Sequence, residues 1–268
     1  MHAVNFLGFR VPDVQIDFEC LNGRVGQYIF ISSATVYSKP HLQVPLTENS
    51  RVGNEYSEYA RNKEMCEGWL MIRLGKSRFP VTIVRPSHTY SDGWIPNPVG
   101  SSGYTFAARL EKGEPVFLHD GGRSPWTLTA SSDFAKGFAG LVGLDRSIGE
   151  TFHITSDETI TWGNIYSEIV SAFGFMSPRI IPMSTEFICQ AAPELTAKLK
   201  GDKSEPGVFD NSKIKRFVPG FKCTVLFRDG IRKCARWFRQ DPARQTIDRD
   251  VNETFDRVFR AWRRRVAP

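Results

Sequence analysis

The sequence predicts an α/β fold built on a parallel sheet flanked by helices, and three observations carry that prediction. Apolar runs of strand length alternate with longer helix-spaced segments through the first half of the chain. Those runs are mostly apolar rather than strictly alternating, as strands covered on both faces are. Each ends in a polar or turn-rich loop, where sheets of this kind bind ligands.

Taken in order, residues 4–7 and 28–32 (YIFIS) read as buried strands and residues 80–85 (PVTIVR) as a third. Between the last two, residues 55–74 place Tyr59, Lys63, Cys66, Glu67 and Leu70 at helical spacing, with Gly75 as the expected C-cap. Beyond Pro86 the texture changes, and the glycines and prolines from Gly93 to Gly103 mark a long irregular stretch suited to a binding loop or lid. A short helix over 105–111, a strand over 116–119, the turn Asp120, Gly121 and Gly122, a helix over 132–144 and a strand over 151–154 follow. An amphipathic helix over 163–173 comes next. The last forty residues are helix-like, with Trp237, Phe255 and Trp262 among charges, so the basic residues read first as the wet face of a C-terminal cap.

Composition narrows the function classes. The chain has 268 residues, 41% hydrophobic and 24% charged, enough for a substantial core and unlike disordered, collagenous or coiled-coil chains. Nothing approaches the ~20 apolar residues that cross a bilayer. The first residues carry no secretory pattern, so a cytoplasmic location without membrane contact is the expectation. Five scattered cysteines form no Cys-x-x-Cys pair, and no metal site is expected. The net charge of +6 is concentrated between Arg228 and Arg265, which permits an anionic partner.

The residues that carry chemistry are Ser33, Tyr59 and Lys63, within ISSATVY and YARNK. Tyr59 and Lys63 are four apart on the predicted helix, so their side chains share a face. An ammonium beside a phenol stabilises the phenolate and lowers its pKa from about 10 toward the working pH, which makes tyrosine a usable acid or base. Ser33 follows the second strand, where its hydroxyl can orient a substrate oxygen. A tyrosine four residues before a lysine also arises by chance on a surface helix; the surrounding order of motifs is what distinguishes this one.

That order runs from ISSATVY through Thr47 and Glu48, the Tyr59, Lys63 and Glu67 helix, VRP at 84–86, the Asp133 segment SSDFAKGF and FHITSDETITW. It resembles the extended short-chain dehydrogenase/reductase family, the NAD-dependent sugar epimerases and dehydratases, over most of the chain. The resemblance implies a Rossmann-like sheet, with a partial dinucleotide-binding core over 1–90. Residues 91–268 then form mostly a smaller α/β substrate-binding and C-terminal region, with segments over about 116–155 returning to the core sheet. It implies Tyr59 as catalytic acid/base, Lys63 on the nicotinamide ribose and tuning Tyr59, and Ser33 on the reacting oxygen. Cofactor contacts fall on Phe6, Leu7 and Gly8, on Ser32, Tyr59 and Lys63, and on Pro86. His88 stands where relatives often carry a substrate-binding asparagine, and reads equally as a surface loop residue.

Two departures from the family pattern are visible. No GxxGxxG turn follows the first strand; GSSG at 100–103 and Gly75, Lys76 and Ser77 read as turns. Binding of NAD or NADP is therefore expected to be weakened or lost. In the resemblance residues 4–7 correspond to an interior fourth strand, so the chain reads as a truncated member whose exposed edge invites a homodimer or another partner. Trp126 also stands where a more polar substrate contact is usual. The expected function is an NAD(P)-dependent epimerase, dehydratase or reductase acting on a nucleotide sugar or related polyol. The alternatives are an RNA-binding protein, since the chain also resembles chloroplast stem-loop-binding proteins, and a catalytically inactive family member.

Overall fold

Successive side chains of a strand point to opposite sides, so a strand apolar throughout needs a cover on each. The computed structural model, which describes residues 1–266, provides both covers. Strand β2 (Gln27–Ile31), buried along its whole length, lies between β1 (His2–Asn5) and β3 (Val81–Arg85), with β4 (Thr151–His153) beyond β3. All neighbours are parallel, with Val4 opposite Ile29, Ile29 opposite Thr82 and Val84 opposite Phe152. On one face Tyr28, Phe30, Val81 and Ile83 pack with Val14, Cys66 and Leu70 of helices α1 (Val11–Leu21) and α2 (Glu58–Ser77). On the other, Ile29, Ile31, Val84 and Phe152 meet Leu141 of α3 (Ser131–Leu141) and Ile214 of α4 (Ser212–Phe217). Helices α1 and α2 are the crossovers that parallel neighbours require.

The polar exception on β2 is satisfied in full. Buried Gln27 donates to Leu141 O and Ser147 Oγ, both at 2.9 Å, and accepts the Gly143 N–H at 2.7 Å. Those bonds tie the sheet to the turn after α3, and an unmade buried one costs about 1–3 kcal/mol.

Two local expectations are corrected. The first strand is His2–Asn5, not 4–7, and it alternates between exposed and half-buried, because it has a neighbour on one side only among the described residues. Helix α2 runs past Gly75 to Ser77, and the left-handed closing position at φ +53° falls on Arg78, whose N–H bonds Leu74 O at 3.0 Å.

The chain divides into two compact units. The first comprises Met1–Thr89, Ser131–Asp157 and Val208–Thr224 and contains the sheet; the second comprises Tyr90–Ala130, Glu158–Gly207 and the chain from Val225. Of the segment expected to return to the sheet, 151–153 does so as β4, whereas Val116–His119 pairs in parallel with Ile180–Met183 in the second unit. The core of that unit gathers Phe106, Phe117, Tyr166, Phe238 and Phe255. Buried Arg109 fastens helix Thr105–Glu111 to helix Arg249–Val266, with Nη1 2.6 Å from Asn252 Oδ1 and Nη2 2.9 Å from Asp256. Helices Phe227–Arg239 and Arg249–Val266 bury Ile231, Phe238, Phe255 and Phe259 and expose their arginines. Trp126, expected on the substrate side, is buried in this unit against Trp162. No helix among the described residues is long and apolar enough to cross a membrane.

Candidate active site

The site forms where β1, β2 and α2 converge. Asn5 ends β1, and its Oδ1 accepts the N–H groups of Leu7 (2.7 Å) and Gly8 (2.5 Å), folding the chain back on itself. Asp13, in the first turn of α1, accepts the N–H groups of Phe9 and Arg10, each at 2.8 Å, and those bonds hold its carboxyl below the usual range. The loop 6–10 is thereby pinned at both ends. A Cβ on Gly8 would come within 2.9 Å of Asn5 Nδ2 and 3.1 Å of the Phe30 ring, so the backbone approaches as only glycine permits. Phe6 and Leu7 stay exposed on this loop.

Helix α2 starts at Ser57, whose Oγ accepts the Ala60 N–H at 3.2 Å, and so sets Tyr59 and Lys63 on its first two turns. Lys63 is 1% exposed. Its Nζ donates to Gly8 O at 2.8 Å and to Ile31 O at 2.7 Å, joining the loop after β1 to the carboxyl end of β2. The rings of Phe30, Phe9 and Tyr59 surround it, with centroids at 4.8, 4.9 and 5.8 Å. Burial pushes this ammonium down to about 8, against the pull of Glu67 and Asp13. Tyr59 is 42% exposed and meets Phe9 at 6.3 Å between centroids.

The serines follow directly on β2. Ser32 N–H bonds Val84 O at 2.7 Å, while its buried Oγ has no hydrogen-bond partner among the described residues. Ser33 caps the turn Ala34–Val36, its Oγ accepting from Thr35 N at 3.2 Å and Thr35 Oγ1 at 2.8 Å. The Ala34 N–H donates to Pro86 O at 2.9 Å, which sets Pro86 beside the serines. His88 opens the short strand His88–Tyr90, half-buried, and takes no part in the Lys63 hydrogen bonds. The structure thus brings Gly8, Tyr59 and Lys63 together with the loop bearing Ser32 and Ser33.

Sequence reasoning missed the polar network behind this site. Glu67, one turn beyond Lys63, takes both arms of Arg85, Nε to Oε1 at 2.9 Å and Nη2 to Oε2 at 2.6 Å. Arg85 Nη1 continues to Tyr37 Oη at 3.1 Å and Glu48 O at 3.0 Å, and the Tyr37 hydroxyl meets His153 Nε2. The His153 N–H donates to Glu48 Oε1 at 3.0 Å, and burial together with Arg85 drops the imidazole to about 3, so it stays neutral. Glu67, Arg85 and Tyr37 all lie within the motif strings, so their place in the pattern was a usable signal. Among the described residues no group of His, Cys, Asp and Glu is arranged to hold a metal ion.

Comparison with known proteins places the chain by family, by sequence relatives and by fold. The model of the NAD dependent epimerase/dehydratase family matches residues 18–154, just over half of the chain. The 2'-dehydrokanamycin reductase of Streptomyces kanamyceticus is 24% identical over an alignment 225 residues long that covers 79% of this chain and 62% of that one. The chloroplast stem-loop binding protein of 41 kDa b of Arabidopsis thaliana is 27% identical over 174 residues, 65% of this chain and 43% of that one. The chain therefore spans less than two thirds of the length of either relative. In fold it resembles the dTDP-glucose 4,6-dehydratase of Bacillus anthracis solved in complex with NAD, with a TM-score of 0.70, 15% identity and coverage of 91% of this chain and 74% of that one. The UDP-glucuronic acid 4-epimerase of Bacillus cereus, solved with UDP-glucuronic acid and NAD, gives a TM-score of 0.68 at 18% identity, covering 86% and 67%.

Proposed function

The chain belongs to the NAD dependent epimerase/dehydratase family, and on that premise we propose that it is an NAD(P)-dependent epimerase, dehydratase or reductase acting on a nucleotide sugar or related polyol. One observation carries the reading: Lys63 Nζ is fixed between Gly8 O and Ile31 O, at the carboxyl ends of two neighbouring strands, with Tyr59 one helical turn away. An ammonium has three protons to donate, and these two bonds leave the third for a ribose hydroxyl or the Tyr59 oxygen.

The residues present suit the nicotinamide half of the cofactor. Ser32 Oγ is a buried polar atom lacking a hydrogen-bond partner among the described residues, Gly8 allows close backbone approach, and exposed Phe6 and Leu7 with Pro86 offer apolar contact. NAD(P), when bound, supplies hydride exchange with a substrate carbon. Tyr59 takes the proton from the substrate hydroxyl on that carbon or returns it, and Ser33 orients the oxygen. Lys63 lowers the cost of the phenolate. His88 is assigned to the substrate side. The named substrates of the relatives, a dehydrokanamycin and nucleotide sugars, support the substrate class.

Incubating the full chain with NAD(P) and a panel of UDP- and dTDP-sugars tests this. Turnover is expected to fall about 100-fold or more in Tyr59→Phe, the range a positioned acid/base contributes; turnover equal in the variant would contradict the assignment. RNA binding is a second reading, favoured by the named stem-loop-binding relative and by exposed arginines such as Arg228, Arg232 and Arg236 on one helix. Affinity for single-stranded RNA that falls steeply with salt, in a chain that turns nothing over, would select it.

A further inference from the structure

The loop from Ser38 to Arg51 encloses a concavity that the proposed reaction does not use. Its ends are fastened, with Tyr37 bridged to Val52, the Ser38 N–H on Arg51 O at 2.9 Å and the Gly53 N–H on Val36 O at 2.9 Å. Midway, Leu46 is 2% exposed and pairs with Phe209, its N–H reaching Val208 O at 2.8 Å. A loop closed at its ends and pinned at its centre keeps its shape before any ligand arrives.

The concavity holds about 250 Å3 and is lined by Ser38, His41, Gln43, Thr47, Ser50 and Arg51, with Leu42, Leu46 and Asn49 completing the wall. Its lining offers a guanidinium, an imidazole, three hydroxyls and two amides, and no carboxylate. Glu48, the loop's sole acidic residue, turns inward to the His153 N–H. Lys39 Nζ donates to His41 Nε2 at 2.9 Å, which assigns the ring proton to Nδ1 and sets an ammonium against the imidazole. Ser50 Oγ accepts the Thr47 N–H at 2.9 Å and lies 3.5 Å from Thr47 Oγ1, which sets both hydroxyls side by side in the wall. A guanidinium, hydroxyls and amides in a lining that contains no carboxylate suit an oxyanion, and arginine matches phosphate oxygens with a fixed fork.

We infer that this concavity binds a phosphate group, free or as a phosphate monoester. Its volume decides the size of the ligand: it falls below the roughly 300–1,000 Å3 of sites for drug-sized molecules, so a phosphoryl group with part of a sugar fits and a dinucleotide does not. The inference does not rest on Tyr59 or Lys63.

Calorimetric titration of the full chain at low salt, with inorganic phosphate in one arm and adenosine 5'-monophosphate in the other, tests it. Saturable binding of at least one probe is expected, weakened about tenfold or more in Arg51→Ala and abolished in Arg51→Glu, as loss of a charge-assisted contact implies. Arg51 is exposed, so both variants should fold, which circular dichroism verifies. Tighter binding of the monophosphate would identify the ester as the ligand, and equal binding the free anion. No saturable heat with either probe, or binding indifferent to both Arg51 variants, would overturn the inference. Dinucleotide binding unchanged by Arg51→Ala keeps this outcome separate from that of the nicotinamide site.

Discussion

Lys63 is a cation almost wholly out of water, held by two carbonyl oxygens and three aromatic faces rather than by a carboxylate. Desolvation is the larger influence and brings its titration to about 8. In the proposed mechanism the ammonium supports the Tyr59 phenolate below that pH and loses that role above it. The rate against pH should therefore show an alkaline limb with a midpoint near 8, and a limb near the ordinary lysine value of about 10.4 would contradict the environment described. Stability moves the other way. The folded value lies below the unfolded one, so between the two the unfolded chain binds more protons and this group's contribution to stability rises with pH. Ser33, Tyr59, Lys63 and Gly8 were legible in the sequence because their spacing matches a family order. The parts played by Asn5, Asp13 and Phe9 were not, since each depends on a turn that only the folded loop defines.

At the scale of elements, the paired Glu67 and Arg85 lock helix α2 to the end of β3, and Tyr37 and Glu48 extend the lock to the loop that begins at Ser33. Both charged side chains are nearly buried, so losing one leaves the other uncompensated. Glu67→Gln is expected to destabilise the chain by about 3–5 kcal/mol in urea unfolding, the cost of breaking a buried pair. A loss under about 1 kcal/mol would mean the pair behaves as a surface bridge. Strand and helix positions were readable from apolar runs, and boundaries slipped where a local signal misled: Gly75 looked like a cap, yet hydrogen bonding carries α2 to Ser77. The docking of the C-terminal helix through Arg109 was illegible, because Asn252 and Asp256 lie far along the chain from it.

For the whole molecule, the α/β class and a parallel sheet followed from patterning, with the first strand displaced from its observed bounds and the return of 151–153 to that sheet implied by the family resemblance, whereas the pairing of Val116–His119 with Ile180–Met183 was not foreseen. Periodicity identifies a strand; it does not say which distant strand will lie beside it. One unit supplies the loop after β1, the end of β2 and the α2 helix, so a nicotinamide-side site can be assembled from that unit's own residues. The most direct measurement is a calorimetric titration of the full chain with NAD and with NADP, repeated on Lys63→Ala. Saturable binding of one dinucleotide, weakened about tenfold or more by Lys63→Ala, is the result predicted; no binding of either, or binding indifferent to Lys63, would contradict a cofactor site at this lysine.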